Sequence, residues 1–202
     1  MKPVLAYRSD ERAALDSQNP AQTQGVSKNL VARLPFTGDR CLSVIAIHLL
    51  ARPEDVSRAP AREAQAEVVR QAALNERRAG CGVVVAGDFN DYDPDVATPA
   101  GHTAVTRVLE IVKSMDPADK GDDLVNPAIR LPPAERYSNR WDRDGDGQVD
   151  LPRDGSLIDH VLVSPPLQVL DVTIARPLVG QEPLSDHDPV VVTIAWPAMT
   201  GM

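Results

Sequence analysis

Aromatic residues are scarce. Phe, Tyr and Trp together make up 3% of the 202 residues, too few for the row of stacking side chains that usually holds single-stranded nucleic acid. An excess of positive charge is missing too. Lys and Arg number 21 against 29 Asp and Glu, a net charge of -8, which opposes the salt-sensitive phosphate contacts of a basic nucleic-acid-binding domain. A nucleic-acid substrate then requires a local basic strip or a bound metal. Arg58, Arg62, Arg70, Arg77 and Arg78 are mixed with Glu63, Glu67 and Glu76, and this series reads as a solvated helix face. No apolar run is long enough for a membrane-spanning segment. Residues 1–10 lack the basic start and long apolar stretch of a signal peptide, which leaves the compartment open. Two cysteines, Cys41 and Cys81, are too few for a disulfide scaffold and stand near expected strand starts; buried free thiols are the expectation.

What is present fits one well-buried domain, since 43% hydrophobic content is ordinary for a globular chain of this length. Residues 1–26 are polar, broken by Pro20 and Gly25, and read as an irregular lead-in to a domain over 27–202. Residues 27–34 and 42–49 are apolar or alternating around a short turn, which predicts a hairpin. Residues 61–79 contain neither Gly nor Pro and are rich in Ala, Glu, Gln and Arg. With Ala61, Ala64, Val68, Ala72 and Leu74 as its apolar set, this stretch predicts a helix ended by Gly80. The run Val83 to Ala86, bounded by glycines, has the character of a strand covered on both faces. A second helix is expected over 103–113. A loop rich in Pro, Gly and Asp is expected over 116–152, then strands over 156–163, 169–174 and 190–195. The sum is an α/β (α+β) fold, a two-sheet β-sandwich flanked by helices.

Three short blocks set acids, amides or imidazoles beside these strands: Gly87-Asp88-Phe89-Asn90, Leu157-Ile158-Asp159-His160 and Leu184-Ser185-Asp186-His187-Asp188-Pro189. Asp88 and Asn90 are two apart, so continued extended geometry points both the same way; a tight turn is the competing reading. Asp159 alternates with Leu157, Val161 and Val163, and a carboxylate on an apolar face needs a partner. His160, with Ile158 and Leu162 as its neighbours, reads as ordinary packing. Asp91 and Asp93 read as exposed loop residues, Asp188 as structural, and Ser185 as a local hydrogen-bonding group, since no nucleophile elbow surrounds it. A separate run, Asp142, Asp144, Asp146, Gln148 and Asp150 with glycine at 147, follows the start of a Ca²⁺ loop. Its twelfth position is Arg153 and Pro152 blocks the usual helix, so it is not an EF-hand. A Ca²⁺-binding loop and a hydrated acidic turn both remain open. Tyr137 and Trp141 beside it read as substrate contacts or as pins for the loop.

In this order the three blocks resemble the endonuclease/exonuclease/phosphatase family of Mg²⁺-dependent phosphoesterases, from about Ser27 to the end of the chain. The resemblance implies that Asp88 orients or activates water and that Asn90 hydrogen-bonds a phosphate oxygen. It also implies that Asp159 holds His187, which acts as general base or as a positive ligand to phosphate. Asp186 matches the metal ligand for Mg²⁺ or Mn²⁺, and His48 matches a strand-end histidine that protonates the leaving oxygen or contacts phosphate. Asn29 is a further candidate for the same pocket. The family's opening segment carries an asparagine and a metal-binding glutamate that find no counterpart before Ser27, which predicts a domain incomplete at its N-terminus. The expected activity is hydrolysis of phosphate esters, with nuclease, phosphodiesterase and phosphatase all open. The alternative is a Ca²⁺-binding or catalytically impaired module that keeps the fold.

Overall fold

The computed structural model describes residues 5–7, 30–35, 40–179 and 182–197. In chain order the strands and α-helices are β1 (Leu5–Tyr7), β2 (Leu30–Pro35), β3 (Cys41–His48), α1 (Ala59–Arg78), β4 (Cys81–Asp88), α2 (Val108–Lys113), β5 (Asn139–Arg140), β6 (Gly155–Ser156), β7 (Asp159–Val163), β8 (Gln168–Ile174), β9 (Leu178–Val179), β10 (Glu182–Pro183) and β11 (Val190–Ala195). Within the lead-in expected to be irregular, β1 is a short strand paired with β2.

The main sheet runs β1-β2-β3-β4-β7. The hairpin expectation holds: β2 and β3 are antiparallel, from Leu30 opposite Ala46 to Pro35 opposite Cys41. From β3 the chain crosses through α1 to β4, which lies parallel to β3, because a parallel neighbour needs a crossover of this length. Pro60 sits in the first turn of α1, where its missing N–H costs nothing, and Gly80, at φ +85°, follows its end.

Strand β4 is covered on both faces, which explains its unbroken valines. Val83 and Val85 face one core with Ala66, Val69, Ala72 and Ala73 of α1 and Val108, Leu109 and Val112 of α2. Val84 faces another with Leu42, Val163 and Leu167, against which Val169, Val192 and Ile194 of the antiparallel β8–β11 pair are packed. The layers are therefore helices, five-stranded sheet and a second sheet, of which β8 and β11 are the strands among the described residues. A third cluster of Val96, Ala128, Leu131, Leu157 and Ile174 pins the 127–131 turn onto β8.

Several expectations are corrected. Cys41 and Cys81 form a disulfide, because parallel pairing places them directly opposite at the first register position, Cα to Cα 4.6 Å; counting cysteines without the register could not show this. Arg62 is wholly buried in place of lying on a solvated face. Asp91 and Asp93 are buried, at 0% and 5% exposure. Asp91 takes hydrogen bonds from Thr106 Oγ1 and the Tyr92 N–H, and Asp93 pairs with Lys113 Nζ at 2.6 Å and Asn126 Nδ2 at 2.9 Å. Partners brought by distant segments make this burial tolerable, and local polarity does not reveal them. The second helix is shorter than expected, Val108–Lys113, and the 156–163 strand is split into β6 and β7.

Candidate active site

Pairing of β3, β4 and β7 decides which side chains meet. His48 ends β3 opposite Asp88 at the end of β4, and Asp88 lies opposite Asp159 at the start of β7. Three polar side chains from three strands thus arrive at one edge. His48 Nε2 is 3.5 Å from Asp88 Oδ2. Asn90 follows in a left-handed conformation, φ +50°, so the strand does not continue in extended form. Its backbone N–H donates to Asp88 Oδ1 at 2.8 Å, and Nδ2 donates to Asp88 Oδ2 at 2.8 Å and to the Leu49 carbonyl at 3.2 Å. Both donors of the amide are engaged in fixing Asp88 and the end of β3.

His187 reaches this edge from the loop before β11. Its Nδ1 lies 2.8 Å from Asp159 Oδ2, an atom that also accepts from Ser138 Oγ at 2.8 Å. Residue His187 forms an antiparallel bridge with Asn139. The next residue, Asp188, is buried against two arginines, Arg140 at 2.5 Å and Arg176 at 2.8 Å. This buried ion pair anchors the loop, as such pairs do when each charge has a partner. Asp188 is thus structural, as expected. Ser185 Oγ accepts from the His187 N–H at 3.1 Å, the local role expected of it. His160 is fully buried between Asn126 Nδ2 and the Asp91 carbonyl, and burial lowers its pKa, so it packs as a neutral ring.

Electrostatics at the edge are uneven. Burial raises the Asp88 pKa, and the facing charge of Asp159 raises it further. The His187 pKa is raised to about 9, first by its hydrogen bond to Asp159. A raised histidine pKa stabilises the fold fully below the unfolded value near 6.5, and that contribution fades as pH climbs through about 9. In metal-free protein, Asp159→Asn is therefore expected to bring the His187 pKa back toward 6.5, read from the pH dependence of its ring resonances in NMR. A pKa that stays near 9 in the variant contradicts the pairing.

His48, Asp88, Asn90 and His187 line a cavity of about 660 Å³ together with Asn139, Ser156, Ile158, Asp186, Ala51, Arg52, Pro53, Glu54, Trp141 and Arg143. Its size suits a small ligand. Asp88, Asp159 and His187 offer ligand atoms within 4.8 Å of one another. Asp186 lines the same cavity, exposed, without joining that cluster. Two facing carboxylates and an exposed third supply hard oxygen donors, the set that fits Mg²⁺ or Mn²⁺. Asn29 lies outside the described residues.

The acidic loop is only partly assembled. Asp142, Asp144 and Asp146 come within 4.8 Å of one another, and Asp142 accepts from the N–H groups of Gly145 and Gly147. Arg153 crosses the loop to Asp144 at 3.0 Å and Asp150 at 3.1 Å. Asp150 and Gln148 do not join the cluster; Gln148 meets it through its N–H to Asp146. The twelfth position of the loop thus carries a built-in cation. Of the two neighbouring aromatics, Tyr137 is a pin, packed 4.0 Å under the Arg176 guanidinium, and Trp141 opens to the cavity.

Ser138, Asn139, Arg140 and Arg52 escaped the sequence reading. Asn139 and Arg140 form a two-residue strand and Ser138 precedes it, inside a segment dominated by Pro, Gly and Asp, with no periodicity to find. The Tyr137-to-Trp141 stretch, less polar than its flanks, was the one available signal.

Known proteins share this arrangement of strands. No curated protein sequence matches at a significant level, whereas 73 chains of solved structures do. An endonuclease/exonuclease/phosphatase from Beutenbergia cavernae is 16% identical with a TM-score of 0.55, over 97% of this chain and 45% of that one. The 3' phosphatase NExo from Neisseria, bound to a product DNA hairpin, is 20% identical with a TM-score of 0.57, over 96% of this chain and 71% of that one. The catalytic domain of Xenopus laevis APE2 is 20% identical with a TM-score of 0.60, over 93% of this chain and 59% of that one. At such identities the likeness is one of fold, and the chain spans 45% of the Beutenbergia protein's length. The family comparison reaches further, covering residues 11–187, and on that coverage this chain belongs to the endonuclease/exonuclease/phosphatase family.

Proposed function

We propose that the chain hydrolyses phosphate esters with the help of Mg²⁺ or Mn²⁺, acting as a phosphodiesterase or nuclease. The observation that carries this reading is the Asp159–His187 pair at 2.8 Å clustered with Asp88, at a cavity lined by His187, Asp88, His48, Asn90 and Asp186. Asp159, itself held by the Ser138 hydroxyl, fixes the imidazole through Nδ1, which leaves Nε2 as the nitrogen for substrate. Protonated below about pH 9, the ring is suited to a phosphate oxygen whose charge grows in the transition state. Asp88, held in orientation by both nitrogens of Asn90, with a pKa raised by burial, is placed to accept a proton from attacking water. His48, exposed at 46% and beside Asp88, is the group available to the leaving oxygen. Asp186, with Asp88 nearby, would hold the divalent ion, which when bound supplies Lewis-acid neutralisation of phosphate charge. The Neisseria protein of similar fold is a 3' phosphatase bound to a product DNA hairpin, which supports phosphate-ester hydrolysis more broadly than the diester cleavage proposed here.

Purified protein is expected to cleave bis-p-nitrophenyl phosphate with Mn²⁺ or Mg²⁺, to lose at least about a hundredfold of that rate in EDTA, and to regain it when metal is restored. Folded protein that cleaves nothing with either metal sinks the reading. The closeness of the Asp142, Asp144 and Asp146 carboxylates favours a second reading, a cation-binding module without turnover. Calorimetric heat with Ca²⁺, abolished by Asp144→Ala, together with no cleavage, would select it.

A further inference from the structure

The part of the cavity wall that follows β3 is built by an unusual device. Immediately after His48 the chain turns through residues 49–55, and Arg52 stands there at φ +70°, a left-handed conformation that a residue with a long side chain keeps only under external constraint. That constraint is Arg62 of α1, which has no exposed surface. From Nη1 it donates to the carbonyls of Leu50 at 3.2 Å and Arg52 at 3.0 Å, and from Nη2 to that of Pro53 at 2.9 Å. Gln65, one turn along the same helix, accepts from the Leu50 N–H at 2.8 Å. A buried guanidinium whose two terminal nitrogens serve three carbonyls of one short loop is costly to desolvate, and the nearby charge of buried Asp91 offsets part of that cost.

The side chain presented by this loop is an arginine whose guanidinium has no close ion-pair partner among the described residues, its charge being felt only at a distance by Asp55. Of the two arginines lining the cavity, Arg143 is paired with Glu54 and bonded to Tyr92 Oη. Arg52, exposed on the cavity wall, forms no ion pair among the described residues. In a chain of net charge -8, an unpaired arginine held in a strained loop beside acidic groups is a local exception suited to one anion. The indole of Trp141, 63% exposed, lines the same cavity and offers a face for a planar group.

We propose that Arg52, set in place by the positioning residue Arg62, is a second anion subsite that takes a phosphate neighbouring the scissile one, with Trp141 against the intervening planar group. The preferred substrate is then a nucleotide strand, not an isolated ester. This rests on the phosphoesterase reading for what happens at the scissile bond, and not for the binding itself.

The test separates the two. With EDTA present, calorimetry on the full chain compares the dinucleotides dTpdT and pdTpdT, which share one internal diester and differ by one terminal phosphate. The phosphorylated form is expected to bind about tenfold more tightly, the scale of one charge-assisted arginine contact. Arg52→Ala is expected to cut that ratio to about two or less, and Arg62→Lys, which cannot reach three carbonyls with one ammonium, is expected to do the same. Equal affinities in the wild-type protein, or a ratio that survives Arg52→Ala, overturns the subsite. An Arg62→Lys protein with a lower Tm and an unchanged ratio overturns the positioning role. Glycerophosphoinositol with and without a 4-phosphate tests the other common source of a second phosphate: a gain confined to that pair overturns the strand assignment. Failure to cleave bis-p-nitrophenyl phosphate with metal, alongside an intact dinucleotide preference, overturns the phosphoesterase reading and leaves the subsite standing.

Discussion

Replacing His187 by alanine is expected to lower metal-dependent cleavage of bis-p-nitrophenyl phosphate by about 10²- to 10⁴-fold, the usual scale for one positioned proton-bearing group at a reacting centre. The loss belongs in kcat, because an imidazolium that meets charge as it develops contributes more to the transition state than to substrate binding. Stability is expected to fall only modestly, by the solvent-screened contribution of the lost Asp159 pair, because the side chain is 35% exposed and its removal opens no core. Circular dichroism and a thermal melt of the variant distinguish this outcome from unfolding. Asp159→Asn is expected to retain the ring in place and lose its elevated pKa, so its cleavage should fall on the alkaline side well before that of the wild type, whose imidazolium persists to about pH 9. Cleavage by a folded His187→Ala protein at the wild-type rate removes the Asp159–His187 pair from any catalytic role.

Much of that site is legible in the sequence because its residues sit at the ends of runs whose own pattern is strong. Val83 to Ala86 identifies a doubly covered strand, and β4 continues past it to end at Asp88. The alternation around Asp159 marks a carboxylate needing a partner, and the structure supplies His187 at 2.8 Å. What the sequence conceals is everything set by pairing between distant segments. Cys41 meets Cys81 only because β3 and β4 are parallel and in that register. Asp91 and Asp93 look like loop residues until Thr106, Lys113 and Asn126 arrive to accept them into the interior. Arg62 sits among charged neighbours on a helix, and its three carbonyl partners belong to a turn about ten residues earlier whose shape no local pattern encodes. Asn90 was read as a donor to substrate, whereas its amide is engaged on Asp88 and Leu49. In each case the residue type was visible and the occupant of its hydrogen bonds was not.

The position most sensitive to a single methyl group is Gly87, which precedes Asp88 and lies opposite Ile47 in the parallel pair. Its φ of +137° is available to glycine and strained for any L side chain. A Cβ built there would stand 2.1 Å from the Ile47 carbonyl oxygen, with the Ile47 carbonyl carbon and nitrogen at 3.0 and 3.1 Å. All three are backbone atoms of the neighbouring strand, so no change of rotamer relieves the contact, and β3 must separate from β4 where they carry His48 and Asp88. Gly87→Ala is expected to destabilise the protein by about 3 kcal/mol or more, combining backbone strain with overpacking. For a chain of this size that lowers Tm by about 10 °C in a melt followed by circular dichroism. Gly80→Ala is the matched control: φ is +85° there too, but nothing lies within 4 Å of the added atom, so only the conformational cost of about 1 kcal/mol applies. The difference between the two variants then reports the clash together with the extra backbone strain of φ +137° over φ +85°. A Gly87→Ala protein that melts with the Gly80→Ala control would show that β3 and β4 can part at this point without cost. The close approach of the two strands would then not be what holds His48 and Asp88 together at the edge of the sheet.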